Sequence, residues 1–210
     1  NRLPIKLSKE KGKFRVLTSI GGLATGISSV HEAYDSLWIG WPGYSVQKQR
    51  KEDSEQICEL LHKEKCYPVF LTPQEIKQHY GGFCNNTIWP LFHYFNLYAK
   101  YDQNYWNSYK KVNQKFCDNV MEVVQPSDTI WIHDYHLMLL PSLLRERLPD
   151  AKIGFFLHIP FPSYEVFRLL PWRQQVLSGL LGADLIGFHT YDYVRHFLSN
   201  VHRILGYEHS

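Results

Sequence analysis

In the second half of the chain, apolar residues fall into short runs separated by stretches of helical spacing. Residues 129–133, 153–157 and 184–188 are each about 5 residues long and nearly continuously apolar, as in strands buried on both faces. Helical periodicity predicts helices over 103–124, 137–148, 172–181 and 191–205. In the first half, residues 3–18 read as a hairpin, with Lys9-Glu10-Lys11-Gly12 as its polar turn. Gly21-Gly22-Leu23-Ala24-Thr25-Gly26 opens a helical stretch reaching about residue 34. Residues 37–41 read as a strand broken by Pro42-Gly43, and 53–63 as a surface helix with Ile57, Leu60 and Leu61 on its apolar face. Residues 67–71 form a further strand. Thr72-Pro73-Gln74-Glu75 then starts a helix with an N-cap and a proline at the first position. Strands alternating with helices predict an α/β fold, a parallel sheet with helices on both faces, in a single domain without repeat or linker.

Composition narrows the functional classes. At 210 residues the chain can bury a sizeable core, and 44% hydrophobic with 20% charged residues is ordinary for an enzyme. The net charge of +3 is scattered, which argues against a nucleic-acid partner. Cys58, Cys66, Cys84 and Cys117 show no metal-type spacing and read as reduced thiols of a cytoplasmic protein. With no leader and no apolar run of roughly 18 residues, neither secretion nor membrane insertion is expected. Aromatic residues, at 15%, are unusually frequent; such rings pack cores or face sugars.

Ligands of open α/β sheets bind beyond the carboxyl ends of the strands. Three successive strands end in His133-Asp134-Tyr135-His136, in His158-Ile159-Pro160-Phe161-Pro162 and in His189-Thr190, delivering ionisable groups to one edge. The prolines after His158 stiffen that loop. A metal centre from His133, Asp134 and His136 is not expected, because the histidines straddle a strand-to-helix turn and no second ligand pair is evident. A Gly-x-Ser-x-Gly elbow is absent. The loop at Gly21–Gly26 could cradle a phosphate or simply begin a helix; it fits neither a dinucleotide fingerprint nor a P-loop. Two aromatic clusters, 38–43 and 80–94, carry Gly and Pro beside bulky rings and read as loops rather than buried strands, their rings exposed or packed under a turn.

Seven segments stand in the order seen in trehalose-6-phosphate synthases. They are Asn1-Arg2-Leu3-Pro4, Gly21-Gly22-Leu23-Ala24, Trp38-Ile39-Gly40-Trp41, the run from Asn86 to Tyr94, His133-Asp134-Tyr135-His136-Leu137, Leu157-His158-Ile159-Pro160-Phe161-Pro162 and the run from Gly182 to Thr190. The chain resembles that family over essentially its whole length. The resemblance implies a Rossmann-like lobe of a GT-B glycosyltransferase. It also implies a retaining transfer of glucose from a nucleotide sugar, usually UDP-glucose, to glucose 6-phosphate, without a metal or other cofactor. By the same resemblance Arg2, Trp41, Tyr80, Trp89 and Asp134 hold the acceptor. Gly22 approaches the donor phosphates, His158 faces the donor glucose, and Asp134 and His158 are the residues nearest the chemistry.

Compared with that family, residues 1–210 correspond to the N-terminal, acceptor-binding lobe without its first strand and without the C-terminal nucleotide-binding lobe. The isolated chain is accordingly expected to be inactive. Cys84 stands where relatives often carry Ser. Two other readings remain open: a non-catalytic, sugar-phosphate-sensing regulatory subunit, and a transferase with another acceptor such as glycerol 3-phosphate. A homo-oligomer and a trehalose-phosphate phosphatase partner or fused domain are the protein partners the resemblance leaves open.

Overall fold

A computed structural model describes residues 1–10, 13–18, 36–45 and 51–208. The chain forms two compact units, Asn1–Ile76 and Lys77–Ser210. Its fold class is the expected one: mixed α/β, with parallel strands joined through helices.

In the first unit, β1 (Ile5–Glu10) and β2 (Lys13–Thr18) pair antiparallel, from Ile5 opposite Thr18 to Glu10 opposite Lys13. β3 (Trp38–Gly40) runs parallel to β4 (Cys66–Pro68), and α1 (Lys51–Lys63) lies between them in sequence. Leu3, Leu7, Phe14, Ile57, Leu61 and Cys66 form the buried core. The chain start is held beside β3. Leu3 donates to the Trp41 carbonyl at 3.0 Å, and Trp41 N–H donates to the Asn1 carbonyl at 2.8 Å. A Cβ at Gly40 would meet the Arg2 carbonyl carbon and Leu3 nitrogen at 2.9 Å, so the glycine is what lets this backbone approach.

The helix start at Thr72 is as expected. The Thr72 hydroxyl accepts from Glu75 N–H, the Glu75 carboxylate accepts from Thr72 N–H, and Pro73 opens α2 (Pro73–Glu75). The chain then continues in a wide π-type coil, Ile76–Ile88, and in α3 (Trp89–Phe92) with Pro90 in its first turn.

Here the structure corrects the sequence reading. The cluster at 80–94 is helical rather than a loop, whereas at 38–43 the strand expected over 37–41 is present as β3, so only the loop reading of that cluster gives way. Phe83 is fully buried against Tyr109 and Trp106. Gly82 is not a turn residue; a Cβ there would lie 2.6 Å from the Tyr105 ring. These glycines make room for neighbours, and the proline sits where a helix tolerates it.

The second unit holds the sheet β5 (Thr129–His133), β6 (Lys152–Phe156) and β7 (Leu185–Gly187), all parallel in that order. α5 (Leu140–Arg147) links β5 to β6, and α6 (Tyr164–Phe167) and α7 (Arg173–Leu180) link β6 to β7. α4 (Gln103–Val123) is capped by Asp102, which accepts Asn104 N–H at 2.7 Å. It buries Trp106, Tyr109, Val112, Asn113, Phe116, Cys117 and Val120 at helical spacing. The last predicted helix is α8 (Tyr191–Asn200) followed by a π-type turn, Val201–Leu205, ended by Gly206 at φ 75°.

Candidate active site

β5 ends at His133, and the next residue, Asp134, has φ 76° and ψ 166°. A side-chain-bearing residue held there costs on the order of 1–3 kcal/mol. The neighbouring strand holds the turn: Asp134 N–H donates to the Phe156 carbonyl at 2.8 Å, and Asp134 Oδ1 accepts the backbone N–H of His158 at 3.2 Å. The other carboxylate oxygen lies 3.8 Å from His136 Nδ1. The turn continues as a helical turn, Tyr135–Leu137, into α5.

That turn rests on two polar residues of α4. The Tyr109 hydroxyl donates to the Tyr135 carbonyl at 2.8 Å and accepts Met138 N–H at 2.9 Å. Asn113 donates to the His136 carbonyl at 3.2 Å and accepts Leu139 N–H at 3.2 Å. Both side chains are fully buried, so their polar atoms are matched to backbone that would otherwise be orphaned.

The three strand-end histidines gather in this unit. His133 Nδ1 and His158 Nε2 are 3.0 Å apart, the His158 and His189 rings are 5.7 Å apart, and the Phe156 ring touches both His158 and His189. Burial, and then the His158 charge, lower the His133 pKa to about 4. Burial also lowers that of His158, with His189 adding to the effect and Asp134 opposing it. Burial raises the Asp134 carboxyl above its ordinary range, against the N–H groups of Tyr135 and His158 that favour its ionised form. A carboxylate that accepts and imidazoles that stay neutral suit a grip on uncharged hydroxyls. Among the described residues, no three His, Cys, Asp or Glu side chains are placed to hold a metal ion.

Tyr80 stacks on the His136 ring at 5.4 Å, 9° from parallel, beside this turn. His136 also packs against Tyr135, whose hydroxyl donates to Asn85 Oδ1 at 3.3 Å. Trp89, at the start of α3, is 42% exposed and stacks on His93 at 4.2 Å. Tyr80, Asp134 and His158 thus lie along one run of contacts within the second unit. Arg2 and Trp41 meet in the first unit, where the guanidinium lies 5.0 Å over the indole centroid and the indole N–H donates to the Tyr44 carbonyl. Gly22 lies outside the described residues, as does the whole Gly21–Gly26 loop. The family resemblance gave no role to His133, His136 or Asn85, although the two histidines stood out as strand-end groups. The position of the two histidines at a strand end was their visible signal; Asn85 had none.

The whole chain, residues 1–210, matches the model of glycosyltransferase family 20. The chain belongs to this family. A curated family relative, alpha,alpha-trehalose-phosphate synthase [UDP-forming] A of Dictyostelium discoideum, is 48% identical over 99% of the chain and 28% of its own length. An Escherichia coli structure of the trehalose-6-phosphate protein bound with UDP-2-fluoro glucose superposes with a TM-score of 0.77 at 34% identity, covering 90% of this chain and 41% of that one. The N-terminal domain of Candida albicans trehalose-6-phosphate phosphatase superposes with a TM-score of 0.71 at 38% identity, over 82% of this chain and 36% of that one. The chain therefore spans between roughly a quarter and two fifths of the length of these relatives.

Proposed function

We propose that the chain is the acceptor-side, N-terminal lobe of a retaining glucosyltransferase that moves glucose from UDP-glucose to glucose 6-phosphate, giving trehalose 6-phosphate. The observation that carries this reading is the bond from the His158 backbone N–H to the Asp134 carboxylate, which ties together two adjacent strand ends, one bearing a carboxylate and the other an imidazole. In a family-20 chain these are the groups suited to grip the two sugars that must react.

The chemistry follows from the residue types. A retaining transfer through an oxocarbenium-like state gains chiefly from holding donor and acceptor in line. It also gains from stabilising the leaving diphosphate. The Asp134 carboxylate accepts hydroxyls of the sugar beside the reacting centre, and a neutral His158 holds the donor glucose. The Arg2 guanidinium suits the acceptor phosphate dianion. Trp41, Tyr80 and Trp89 serve the acceptor hexose with their aromatic rings, and Gly22 serves the donor diphosphate. No cofactor enters this reaction, and its partners are small molecules. No helix among the described residues is long and apolar enough to cross a membrane.

Nucleotide release tests the reading in the protein that carries this chain at its relatives' full length. UDP-glucose is supplied with glucose 6-phosphate, glucose or glycerol 3-phosphate in turn. UDP release with glucose 6-phosphate alone, lost in Asp134→Ala and Arg2→Ala, is the expected result. Binding of glucose 6-phosphate without release from any donor would return the chain to a regulatory role, and release with glycerol 3-phosphate would reassign the acceptor.

A further inference from the structure

The His133–His158 contact is used by nothing in the reaction as derived so far. The pairing of β5 with β6 sets it: His133 lies opposite Phe156, two residues before His158, and the two rings meet just past that register. Their facing nitrogens, Nδ1 of His133 and Nε2 of His158, are 3.0 Å apart. Two imidazole nitrogens at that distance cannot both be protonated or both be bare. One carries the proton and the other accepts it, so the contact ties the tautomer of each ring to that of the other.

Three neighbours hold the pair. The Trp131 ring packs on His133 with centroids 4.6 Å apart, the Phe156 ring packs on His158 at 4.7 Å, and the His158 backbone is anchored on Asp134. With Nε2 facing His133, Nδ1 is the ring nitrogen of His158 left to meet a sugar.

We propose that His133 is a positioning residue of the transferase, fixing the rotation and tautomer of His158 so that His158 presents Nδ1 to the donor glucose. The proposal rests on the reading of His158 as the donor-facing imidazole. His133 itself touches no substrate in this scheme; it acts by removing the alternative in which His158 turns its ring and offers Nε2. An outer partner that orients a working imidazole in this way is a recurrent device of active sites.

Amide side chains separate the two nitrogens. Asparagine places its NH₂ near the position of a histidine Nδ1, and glutamine places its own near that of Nε2. In the full-length protein, His133→Asn keeps a donor toward His158 and is expected to hold UDP-release turnover within about threefold of wild type. His133→Phe keeps ring shape without the bond and is expected to lose roughly tenfold in kcat, the worth of about one hydrogen bond. At His158, the asparagine variant is expected to retain more turnover than the glutamine variant. In parallel, side-chain ¹⁵N shifts of the wild-type protein should show one protonated and one bare nitrogen across the contact, and His133→Asn should leave the His158 tautomer in place. Wild-type turnover in His133→Phe, or His158→Gln outperforming His158→Asn, would overturn the proposal. So would ¹⁵N shifts showing both facing nitrogens in the same state. Wild-type protein that releases no UDP would instead refute the transferase reading, and the ¹⁵N shifts would still decide whether the two imidazoles are paired.

Discussion

The Tyr109 hydroxyl donates to the Tyr135 carbonyl and accepts the Met138 N–H, so one phenol on α4 spans the turn that carries Asp134 and His136. Its removal orphans a buried acceptor and a buried donor together. Tyr109→Phe is expected to cost about 1–3 kcal/mol of stability. Chemical denaturation measures this, and an unchanged unfolding midpoint would show that the turn is held by other contacts.

Asp134 has two roles that substitution can separate. Asn keeps an oxygen able to accept the His158 N–H, and Asn tolerates positive φ better than most residues. Asp134→Asn is therefore expected to melt near wild type while losing roughly 10- to 100-fold in transfer, the range for one hydrogen bond to a charged group. Asp134→Ala should lose both. Loss of stability in the asparagine variant equal to that of the alanine variant would mean that the charge, not the acceptor oxygen, holds the strand ends together.

The pH dependence has a defined sign. An unfolded His133 titrates near 6.5, whereas in the folded chain burial and then His158 hold it down to about 4. Between those values the unfolded state binds the proton and the folded state does not, so this contribution to stability rises with pH and is lost as pH falls from 6.5 toward 4. His158, also lowered, acts in the same direction; Asp134, raised from 3.8, acts in the opposite one, losing its contribution as pH rises past that value. His133→Asn is expected to flatten the fall in melting temperature across this window. Wild type and variant falling in parallel would show that other groups set the dependence.

Gly187 in β7 lies against the ring that supports two of the histidines. An alanine Cβ there would sit 2.5 Å from the Phe156 ring, which packs on His158 and His189. Gly187→Ala is expected to destabilise by about 1–3 kcal/mol, as overpacking does, and to shift the His158 and His189 resonances. Unperturbed imidazole resonances would show that Phe156 yields without disturbing them.

The four thiols differ in access. Cys66, Cys84 and Cys117 are buried, and burial pushes all three up in pKa, Cys66 to about 12; Cys58 is exposed and raised as well. A thiol-reactive dye on the native protein should therefore label Cys58 first and the others only on unfolding. Rapid labelling of Cys84 would mean that the helical segment around it opens readily.

The strand ends were legible because parallel strands read as continuous apolar runs, and the rule placing ligands at their carboxyl edge then singles out His133, Asp134, His158 and His189. The aromatic clusters were misread because Gly and Pro usually punctuate loops. Here Gly40 admits the backbone of Arg2 and Leu3, Gly82 admits the Tyr105 ring, and Pro90 sits in a helical first turn. The His133–His158 bond was beyond a one-dimensional reading, because it depends on the register of β6 against β5. The support from Tyr109 and Asn113 was hidden for a related reason: polar atoms on the apolar face of α4 reveal their purpose only once the turn they satisfy is in place.

The most direct test of the central claim is the product formed by the full-length protein from UDP-[1-¹³C]glucose and glucose 6-phosphate, read by NMR. The expected product is a disaccharide phosphate linked through both anomeric carbons, with the labelled carbon still in the α configuration of the donor. A β-configured label, or free labelled glucose with no disaccharide, would contradict a retaining transfer to glucose 6-phosphate.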